Sequence, residues 1–476
     1  MKLSLFVFAS LALPFALTCH AGSLEGGTAA VDITPEQWPH TLVGSFYPKA
    51  TESAHDPLHV RAVVLSDGED TIALAVVDNC LIKREVLDEA KDRAAERTGI
   101  PTAHMMVSST HTHSAPTAHG SDTEPLKQAY REQVTEGIAE AIAQAHARLG
   151  PVEVGWGGVP VEDEVFNRRW FLKPGTMPVN PFGETTDIVK MNPGSGPHLI
   201  SPAGPVDPEV SVLSVRDAKG KPLSLFANYS LHYVGAIPGR QVSADYFGEF
   251  ARLMVTRLRA DGERFVGILS NGTSGDVNNI NFANRRPPRE PFEQIRIVAA
   301  KVADAAYVAQ RDASHAGEAD IAVVERIVTL KVRKPDEDLL ARCHAYLERE
   351  AAGDEKDIPK LAPIYARRVI ALAEHPDTID MKIQAIRIGE LVICTLPFEV
   401  FAEIGLELKK RSPFADTFVV SFANGAFGYL PTPEQHVFGG YETWLSTNRV
   451  ERDASEILTE ELVAMMNELH DETGGE

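Results

Sequence analysis

Two histidines one residue apart, His111 and His113, directly follow an apolar run at residues 105–109. If that run is a β-strand, side chains two apart point to the same side, so both imidazoles face one crevice. Imidazole nitrogen is a frequent zinc ligand, so this spacing is typical of a metal site. Structural or surface histidines also occur at this spacing, and further ligands are therefore needed to support the interpretation.

Polar residues that could complete such a site follow other apolar runs. They are His232 after residues 223–229, the turn 271–276 after 265–270, Glu399 after 391–396, and Asn424 after 418–422. In open α/β sheets, sites form beyond the carboxyl ends of the strands. A catalytic zinc uses three or four nitrogen or oxygen ligands and keeps one position open, which these residues can supply.

Each of these residues also has a structural interpretation. An isolated histidine such as His232 is usually a hydrogen-bonded core residue, and Glu399 could cap the helix predicted over residues 399–410. Asn167 and Arg168 are candidate substrate-facing groups, with a surface salt bridge as the alternative for the arginine.

The turn 271–276 could form an anion pocket from its backbone amides, with Asp276 as an orienting group or an acid/base. A tight structural turn is the alternative. Ser274 suggests a serine hydrolase only weakly, because the Gly-X-Ser-X-Gly elbow is absent from the sequence.

Apolar β-branched runs alternate with helical patterns, which predicts an α/β fold with mixed β-sheets and flanking helices. The predicted strands are 60–65, 71–77, 105–109, 210–215, 223–229, 265–270, 321–332, 383–388, 391–396 and 418–422. The predicted helices are 84–98, 124–149, 246–259, 292–310, 336–350, 358–373 and 454–469.

No linker divides the chain, so residues 22–476 are predicted to form a single large catalytic domain. Residues 170–208 are rich in Pro and Gly and weakly patterned, as in a loop that contributes to a site. Residues 335–378 are predicted to be a helical insertion, a charged helical pair that forms a solvated surface hairpin.

The N-terminus predicts export. Residues 1–21 contain one Lys, an apolar run and small residues near the end, which is the pattern of a signal peptide. The mature protein would then be periplasmic or secreted. No later run is long enough for a transmembrane segment.

Charge and cysteine content exclude other classes. The formal net charge is −21, which disfavours nucleic acid as a partner. Beyond the signal peptide, three cysteines remain and no CxxC pair occurs, so histidines and carboxylates would have to bind any metal. The expected partner is a small-molecule or lipid-like substrate, and the oligomeric state stays open.

Ordered sequence blocks give the chain a resemblance to the neutral/alkaline (non-lysosomal) ceramidase family, specifically to its catalytic N-terminal domain. The blocks are 30–35 (AVDITP), 55–58 (HDPL), 108–116 (SSTHTHSAP), 167–168 (NR), 228–232 (NYSLH), 243–246 (SADY), 275–277 (GDV), 397–399 (PFE) and 441–442 (YE). They span about residues 28–450, and their shared order is more specific than any single motif.

The resemblance implies zinc as the cofactor, with a ligand set of His111, His232, Glu399 and Tyr441. It places His113 beside the metal as a substrate-polarising or proton-shuttling group, whereas the spacing alone would make it a ligand. Arg168 resembles the arginine of the family's site.

The chain departs from the family pattern in two places. Asn278 stands where the family usually has a serine; it cannot act as a nucleophile but can hydrogen-bond a substrate. The chain also ends soon after Tyr441, as in a shorter member without the C-terminal sandwich domain. Both departures leave the implied ligands in place and weaken the expectation that ceramide is the substrate.

These observations predict an exported zinc-dependent hydrolase that cleaves an amide bond with a metal-activated water. His113, or Asp276 through a water, would stabilise the oxyanion or protonate the leaving amine. Asn278, Asn271, Asn167 and Arg168 would position the substrate. The alternatives are a zinc enzyme on the same scaffold that acts on a glycan or another small amide, and a non-catalytic exported binding protein.

Overall fold

A computed structural model of the chain describes residues 23–47, 49–120, 123–354 and 356–471. The predicted signal peptide, residues 1–21, lies outside the described residues. The strands are β1 (Glu25–Asp32), β2 (His40–Leu42), β3 (Lys49–Thr51), β4 (His59–Ser66), β5 (Thr71–Val77), β6 (Met105–Ser109), β7 (Gly150–Pro160), β8 (Phe166–Asn167), β9 (Arg169–Leu172), β10 (Val189–Met191), β11 (Leu199–Pro202), β12 (Glu209–Asp217), β13 (Pro222–Tyr229), β14 (Val266–Asn271), β15 (Val277–Asn278), β16 (Ile321–Lys331), β17 (Thr378–Ile388), β18 (Leu391–Leu396), β19 (Glu399–Val400), β20 (Asp416–Ser421) and β21 (Tyr429–Leu430). The helices are α1 (Arg84–Thr98), α2 (Pro125–Ala147), α3 (Asp245–Leu258), α4 (Glu293–Asp312), α5 (Glu337–Ala351), α6 (Ala362–Ala373), α7 (Ala402–Arg411), α8 (Pro433–Phe438) and α9 (Ala454–Asp471).

Two mixed sheets carry the fold. The larger has eight strands in the order β14-β13-β12-β7-β1-β4-β5-β6, and the smaller has four in the order β16-β17-β18-β20. The pairs β5/β6, β13/β14 and β18/β20 are parallel, while the other pairs of these two sheets are antiparallel. The mixed α/β fold predicted from the sequence is confirmed.

The two sheets pack against each other because their strands are apolar on both faces. In β5, Leu74 and Val76 point into a core shared with Ile393 and Phe418 of the smaller sheet. Their neighbour Ala75 points the other way, into a core shared with α1 and α2. This alternation is the two-residue period of a strand covered on both sides.

Helices cover the outer faces of the sheet pair. α1 and α2 pack on one half of the larger sheet, and α3 and α4 pack on the other half. α7 and α9 cover the smaller sheet, which completes a four-layer α/β/β/α arrangement. None of the described helices has the length and apolar composition that a membrane crossing requires.

The predicted helices and strands are present, but the helix predicted over residues 399–410 begins only at Ala402, after β19. The short strands β2, β3, β8–β11, β15, β19 and β21 and the helix α8 were not predicted, and neither were the long strands β1 and β7. Both strands are rich in glycine, which lowers strand propensity and often marks close approach of another backbone. Gly27 in β1 is such a case, because a Cβ there would lie 2.1 Å from the carbonyl oxygen of Ala145. The sequence alone does not reveal that contact.

Two expectations about surface segments need correction. Residues 170–208 are not simply a loop, because β9, β10 and β11 in this region form a small antiparallel sheet. The predicted helical pair at 335–378 exists as α5 and α6, but it is not a solvated hairpin. Tyr365 of α6 is fully buried and contacts Phe182 and Trp444. α6 is therefore part of the core.

Candidate metal centre

Three strand ends bring two histidines and one glutamate together. His111 follows β6, His232 follows β13, and Glu399 forms the start of β19 just after β18. Each of these elements is near the carboxyl end of one of the three parallel strand pairs. His111 and His232 are almost fully buried, and Glu399 is 8% exposed.

The ligand atoms of these residues form a compact triangle. The Nε2 atoms of His111 and His232 are 3.1 Å apart, and Glu399 Oε2 lies 3.5 Å from the first and 3.6 Å from the second. A tetrahedral ion with bonds of about 2.0–2.1 Å would place its ligands roughly 3.3–3.4 Å apart. The triangle therefore has the dimensions of a divalent metal site.

Hydrogen bonds to backbone carbonyl oxygens fix the protons of both imidazoles on Nδ1. When the rings are neutral, neither Nε2 atom of the triangle therefore carries a proton. His111 Nδ1 donates to the carbonyl oxygen of Cys80 at 2.7 Å, and His232 Nδ1 donates to that of Ser274 at 3.0 Å. Each Nε2 then carries a lone pair, and the two lone pairs face each other. Glu399 Oε2 has no hydrogen-bond partner among the described residues. A cation would resolve both conflicts.

Electrostatics of the site support the same interpretation. Burial, followed by the charges of Arg168 and His111, holds the pKa of His232 well below its usual value. Burial also acts to lower the pKa of His111, but the charges of Cys80 and Glu399 outweigh it and raise that pKa to about 10. Without a metal, we therefore expect one proton at the ligand atoms of the triangle, on His111. Metal binding would displace this proton.

Backbone strain is concentrated at the same place. His111 has φ 67° and Phe422 has φ 55°, a left-handed conformation that is uncommon outside glycine. The two rings are stacked with centroids 4.2 Å apart. Each such residue costs about 1–3 kcal/mol, and strain of this kind often accompanies functional sites.

His113 is adjacent to the triangle. Its Nε2 lies 3.0 Å from His111 Nε2, and its ring stacks on Tyr233 with centroids 3.8 Å apart. It does not belong to the group formed by His111, His232 and Glu399. Burial, then the charges of His111 and Arg168, keeps the pKa of His113 well below its usual value. Its predicted role beside the metal stays a prediction.

A second possible group contains Cys80, His111 and His113. The Cys80 sulfur lies 3.8 Å from His111 Nδ1, but that nitrogen is already hydrogen-bonded to the Cys80 carbonyl oxygen. Binding a metal there would break this bond. The triangle with Glu399 requires no such change, and we therefore favour it.

Arg168 also reaches the triangle. One guanidinium nitrogen, Nη1, lies 3.4 Å from His232 Nε2. The others donate to Glu442 at 3.0 Å and to the Tyr429 hydroxyl at 3.0 Å. Glu442 is fully buried and also binds Arg169 at 2.7 Å. Arg168 is thus held rigidly, as a site arginine and not as half of a surface salt bridge.

Glu442 and Tyr429 had no predicted role. Glu442 follows Tyr441 in a block that resembles the family, so its position was visible in the sequence but its two arginine partners were not. The Cys80 carbonyl that orients His111 gives no sequence signal, because any residue type has a backbone carbonyl.

Tyr441 lies beside the triangle. It lines the same cavity as Glu399, and its ring is 5.5 Å from that of Tyr429. Burial, followed by the negative charge of Glu399, raises the pKa of Tyr441 above its usual value. Its role as a metal ligand stays a prediction.

The polar residues of the turn 271–276 hold the site together. Asn271 donates to the Thr110 carbonyl at 3.1 Å and accepts from the Ser274 hydroxyl at 2.6 Å, which ties the His111 loop to the His232 partner. The Asp276 carboxylate accepts from Asn167 at 2.7 Å and from the Ala402 amide at 2.9 Å. Asp276 and Asn167 therefore stabilise the start of α7 rather than facing the triangle.

Asn278 lies in β15, and its side chain donates to Asn192 at 2.7 Å while it accepts from the Ile280 amide. Both of its polar groups are therefore used within the protein.

Burial raises the pKa of Asp276 to about 7, with the neighbouring Glu403 charge adding to the effect. The predicted substrate contacts of Asn271, Asn278 and Asn167 stay predictions, as does acid/base chemistry at Asp276.

Gly275 allows the turn to reach Glu399. Its amide donates to the Val400 carbonyl at 2.7 Å, and a Cβ at this position would lie 2.4 Å from the Glu399 carbonyl oxygen. Only glycine permits such an approach without moving the backbone. The turn is therefore a spacer that sets the position of Glu399 relative to His232.

Fold and site together define a class, an α/β/β/α protein with a candidate metal-binding cluster of two histidines and one glutamate at its strand ends. The family described as "Neutral/alkaline non-lysosomal ceramidase, N-terminal" matches residues 25–286, and the chain belongs to this family of hydrolases. The resemblance predicted from the ordered blocks is thereby confirmed.

Solved structures show the same fold. Neutral ceramidase from Pseudomonas aeruginosa superimposes with a TM-score of 0.69 at 17% identity, over 94% of this chain and 75% of the other. A structure titled "Ceramidase complexed with C2" gives 0.71 at 17% identity, over 94% and 76%. At this identity the likeness establishes the fold alone. A comparison with curated protein sequences found no match.

Proposed function

We propose that this protein is a zinc-dependent hydrolase that cleaves the amide bond of an N-acyl substrate. One observation carries the proposal, the buried triangle of His111 Nε2, His232 Nε2 and Glu399 Oε2 with edges of 3.1, 3.5 and 3.6 Å. Neutral nitrogen and carboxylate oxygen at this spacing suit zinc. Membership of the ceramidase family supports amide hydrolysis as the reaction.

His111, His232 and Glu399 would hold the zinc, with Tyr441 as a fourth ligand from the same cavity. Such an ion supplies Lewis acidity, which polarises a carbonyl and lowers the pKa of water toward neutrality. The hydrogen bonds to Cys80 and Ser274 carbonyl oxygens keep both Nε2 atoms aimed at the ion and deprotonated.

Arg168 and His113 would act on the substrate. The Arg168 guanidinium is fixed by Glu442 and Tyr429, so it can stabilise negative charge on the carbonyl oxygen without reorganising. His113 Nε2 lies on the other side of His111 and can donate a hydrogen bond to that oxygen or pass a proton to the leaving amine.

The contacts of Asn271, Asp276, Asn167 and Asn278 support positioning roles. Asn271 connects the two histidine loops, and Asp276 with Asn167 fixes the segment that carries Glu399. Substitution of these residues should weaken metal binding before it changes the chemistry.

Metal analysis and activity of matched variants test the proposal. The purified protein should bind about one zinc, and His111→Ala and His232→Ala should each lose the metal and nearly all hydrolysis of an N-acylsphingosine or a shorter N-acyl amide. His344→Ala is the matched control, since His344 is exposed on α5. Full activity in a preparation shown to be free of metal would contradict the proposal.

Export is a separate part of the proposal and depends on residues 1–21. Expression in a bacterial host should give a processed product outside the cytoplasm whose N-terminus is Gly22. An unprocessed chain that begins at Met1 and stays in the cytoplasm would contradict it.

A further inference from the structure

The candidate metal centre opens into a large cavity. This cavity is lined by Glu399 and Tyr441, by α6 and by the segment before α1. Its volume of about 890 Å³ is in the range of sites that bind small molecules. The substrate of the proposed hydrolase would therefore occupy it.

Positive side chains without acidic partners line this cavity. Lys83, Arg368 and Arg449 are all exposed, and none forms an ion pair with a described residue. His119 also lines the cavity, and its buried Nδ1 has no hydrogen-bond partner in the described part of the chain. We name Lys83, Arg368 and Arg449 the cationic cluster.

The acidic side chains of the same cavity form no ion pair with the cationic cluster. Asp88 pairs with Arg84 at 3.1 Å and with Lys382 at 2.8 Å. Glu85 and Asp380 keep their negative charges, and Asp380 accepts a hydrogen bond from Thr329 at 2.6 Å.

The charges of the cluster act on one another and on His119. Burial and the charges of Lys83 and Arg449, opposed by that of Glu85, lower the pKa of His119 to about 4, so its ring is neutral at pH 7. Arg449 keeps an exposed part, but its partial burial, followed by the charge of Arg368, lowers its pKa. Positive charges close together at one cavity wall repel one another. Their presence contrasts with the net charge of −21 of the whole chain. An anion bound among them would remove this cost.

Apolar side chains line the same cavity. Phe422, Phe427, Leu372, Met381 and Val450 contribute to its wall. A ligand that fits this lining has an apolar chain, an amide at Glu399 and a negative group at the cationic cluster.

We propose that the substrate is an N-acyl amide that carries a small anionic group, such as a carboxylate, which Lys83, Arg368 and Arg449 bind. This inference rests on the proposed function, since it names the substrate class of the same site. An enzyme for an uncharged amide would leave the three cations without an anionic partner, although Arg368 lies over the rings of Phe46 and Tyr365.

A matched pair of substrates tests the inference. N-dodecanoylglycine and N-dodecanoylethanolamine share the acyl chain and the amide but differ in a carboxylate against a hydroxyl. We expect kcat/KM to be at least about tenfold higher for the glycine compound at low salt. This preference should decrease at high ionic strength, because the cations are exposed.

The double variant Arg368→Gln with Arg449→Gln should bring the ratio of the two kcat/KM values close to one, mainly through KM of the glycine compound. Arg311→Gln is the matched control, since Arg311 is exposed at the end of α4 and pairs with Asp312. Its ratio should equal that of the unmodified protein.

Calorimetric binding of both compounds to the metal-free protein separates this inference from the proposed function. If neither compound is hydrolysed by the zinc-loaded protein but the carboxylate binds more tightly, the proposed function fails, and only the binding of an anionic group by the cationic cluster is supported. If both compounds are hydrolysed and bound equally, the inference is wrong while the proposed function stands.

Binding to vesicles tests whether the cationic cluster instead contacts a membrane. If the double variant loses binding to vesicles that contain anionic phospholipid while it keeps the preference between the two soluble compounds, the cationic cluster docks a membrane surface. That result would overturn the inference. Unchanged vesicle binding together with a lost preference would support it.

Discussion

The candidate metal centre and the cationic cluster line one cavity but are built in opposite ways. At the metal centre, His111, His232 and Arg168 are buried, and each is fixed by hydrogen bonds to backbone or to buried side chains. In the cationic cluster, Lys83 and Arg368 are exposed and have no acidic partner among the described residues.

This difference separates chemistry from selection. Groups that hold a metal and an oxyanion gain from rigid placement, since reorganisation during the reaction is costly. Groups that attract a charged ligand need only a local potential, so they can be flexible and solvated. Substitutions at the metal centre should therefore change metal binding and turnover, while those in the cationic cluster should change substrate preference.

Glu399→Gln should have the largest effect on the candidate metal centre and leave the cationic cluster unchanged. Loss of the carboxylate charge should lower zinc affinity and turnover by at least about a hundredfold. Calorimetric binding of N-dodecanoylglycine to the metal-free protein should be preserved, because the cationic cluster is intact. A variant that still binds zinc tightly would contradict the assignment of Glu399.

Stability provides a matched control at a second buried glutamate. In the presence of chelator, Glu399→Gln should destabilise the protein less than Glu442→Gln, because Oε2 has no hydrogen-bond partner to lose and its charged neighbour His111 is 3.5 Å away. Glu442→Gln should be destabilised by about 3–5 kcal/mol, since it weakens buried ion pairs with Arg168 and Arg169. Urea unfolding measures both.

Gly275→Ala should have the next largest effect. The added Cβ would lie 2.4 Å from the Glu399 carbonyl oxygen, so the backbone must move and Glu399 must shift relative to His232. We expect about 1–3 kcal/mol of destabilisation and a clear loss of zinc affinity. In the control Gly262→Ala, the nearest atom is 3.6 Å away, and both properties should be unchanged.

Asn271→Ala should have a smaller effect, confined to the candidate metal centre. Without its bonds to Thr110 and Ser274, the two histidine loops lose their link, and zinc affinity should fall by about 10–100-fold. The substrate preference set by the cationic cluster should persist. Asn284→Ala, at an exposed position, is the control. Equal zinc affinity in the two variants would refute the positioning role.

Lys91 extends the comparison to a buried cation, for which the smallest effect on zinc affinity is expected. Its Nζ donates to Asn424 at 2.5 Å, and burial, with the Lys382 charge, lowers its pKa from 10.5 to about 7. The unfolded chain therefore binds more protons between these values, and the free energy of unfolding rises with pH there.

The variant Lys91→Met should remove this contribution. The difference in unfolding free energy, unmodified protein minus variant, should increase by up to about 1.4 kcal/mol per pH unit from pH 7 toward 10.5. Below pH 7 the difference should be constant. Denaturant unfolding at a series of pH values measures it, and a flat difference throughout would show that Lys91 keeps its ordinary pKa.

Much of this architecture could be predicted from the sequence. The pattern of residues 84–98 gives the bounds of α1, and the apolar runs at 71–77, 105–109 and 391–396 give β5, β6 and β18. The spacing of apolar residues depends only on neighbours in the chain, so it can be recognised without knowing the tertiary structure. β1 and β7 were missed because glycines obscure their strand pattern, and the helical pair α5 and α6 was wrongly expected to be solvated.

The sequence by itself determined which residues could do the chemistry. His111, His232 and Glu399 each follow an apolar strand, and local patterning is enough to place them at strand ends. The tertiary structure decided which of them meet, through the parallel pairing of β5/β6, β13/β14 and β18/β20. It also decided which carbonyls orient the imidazoles, and that Lys83, Arg368 and Arg449 share one cavity. The physical reason is range: strand propensity acts between neighbours in the chain, whereas a metal site and a cavity wall depend on distances that only packing fixes.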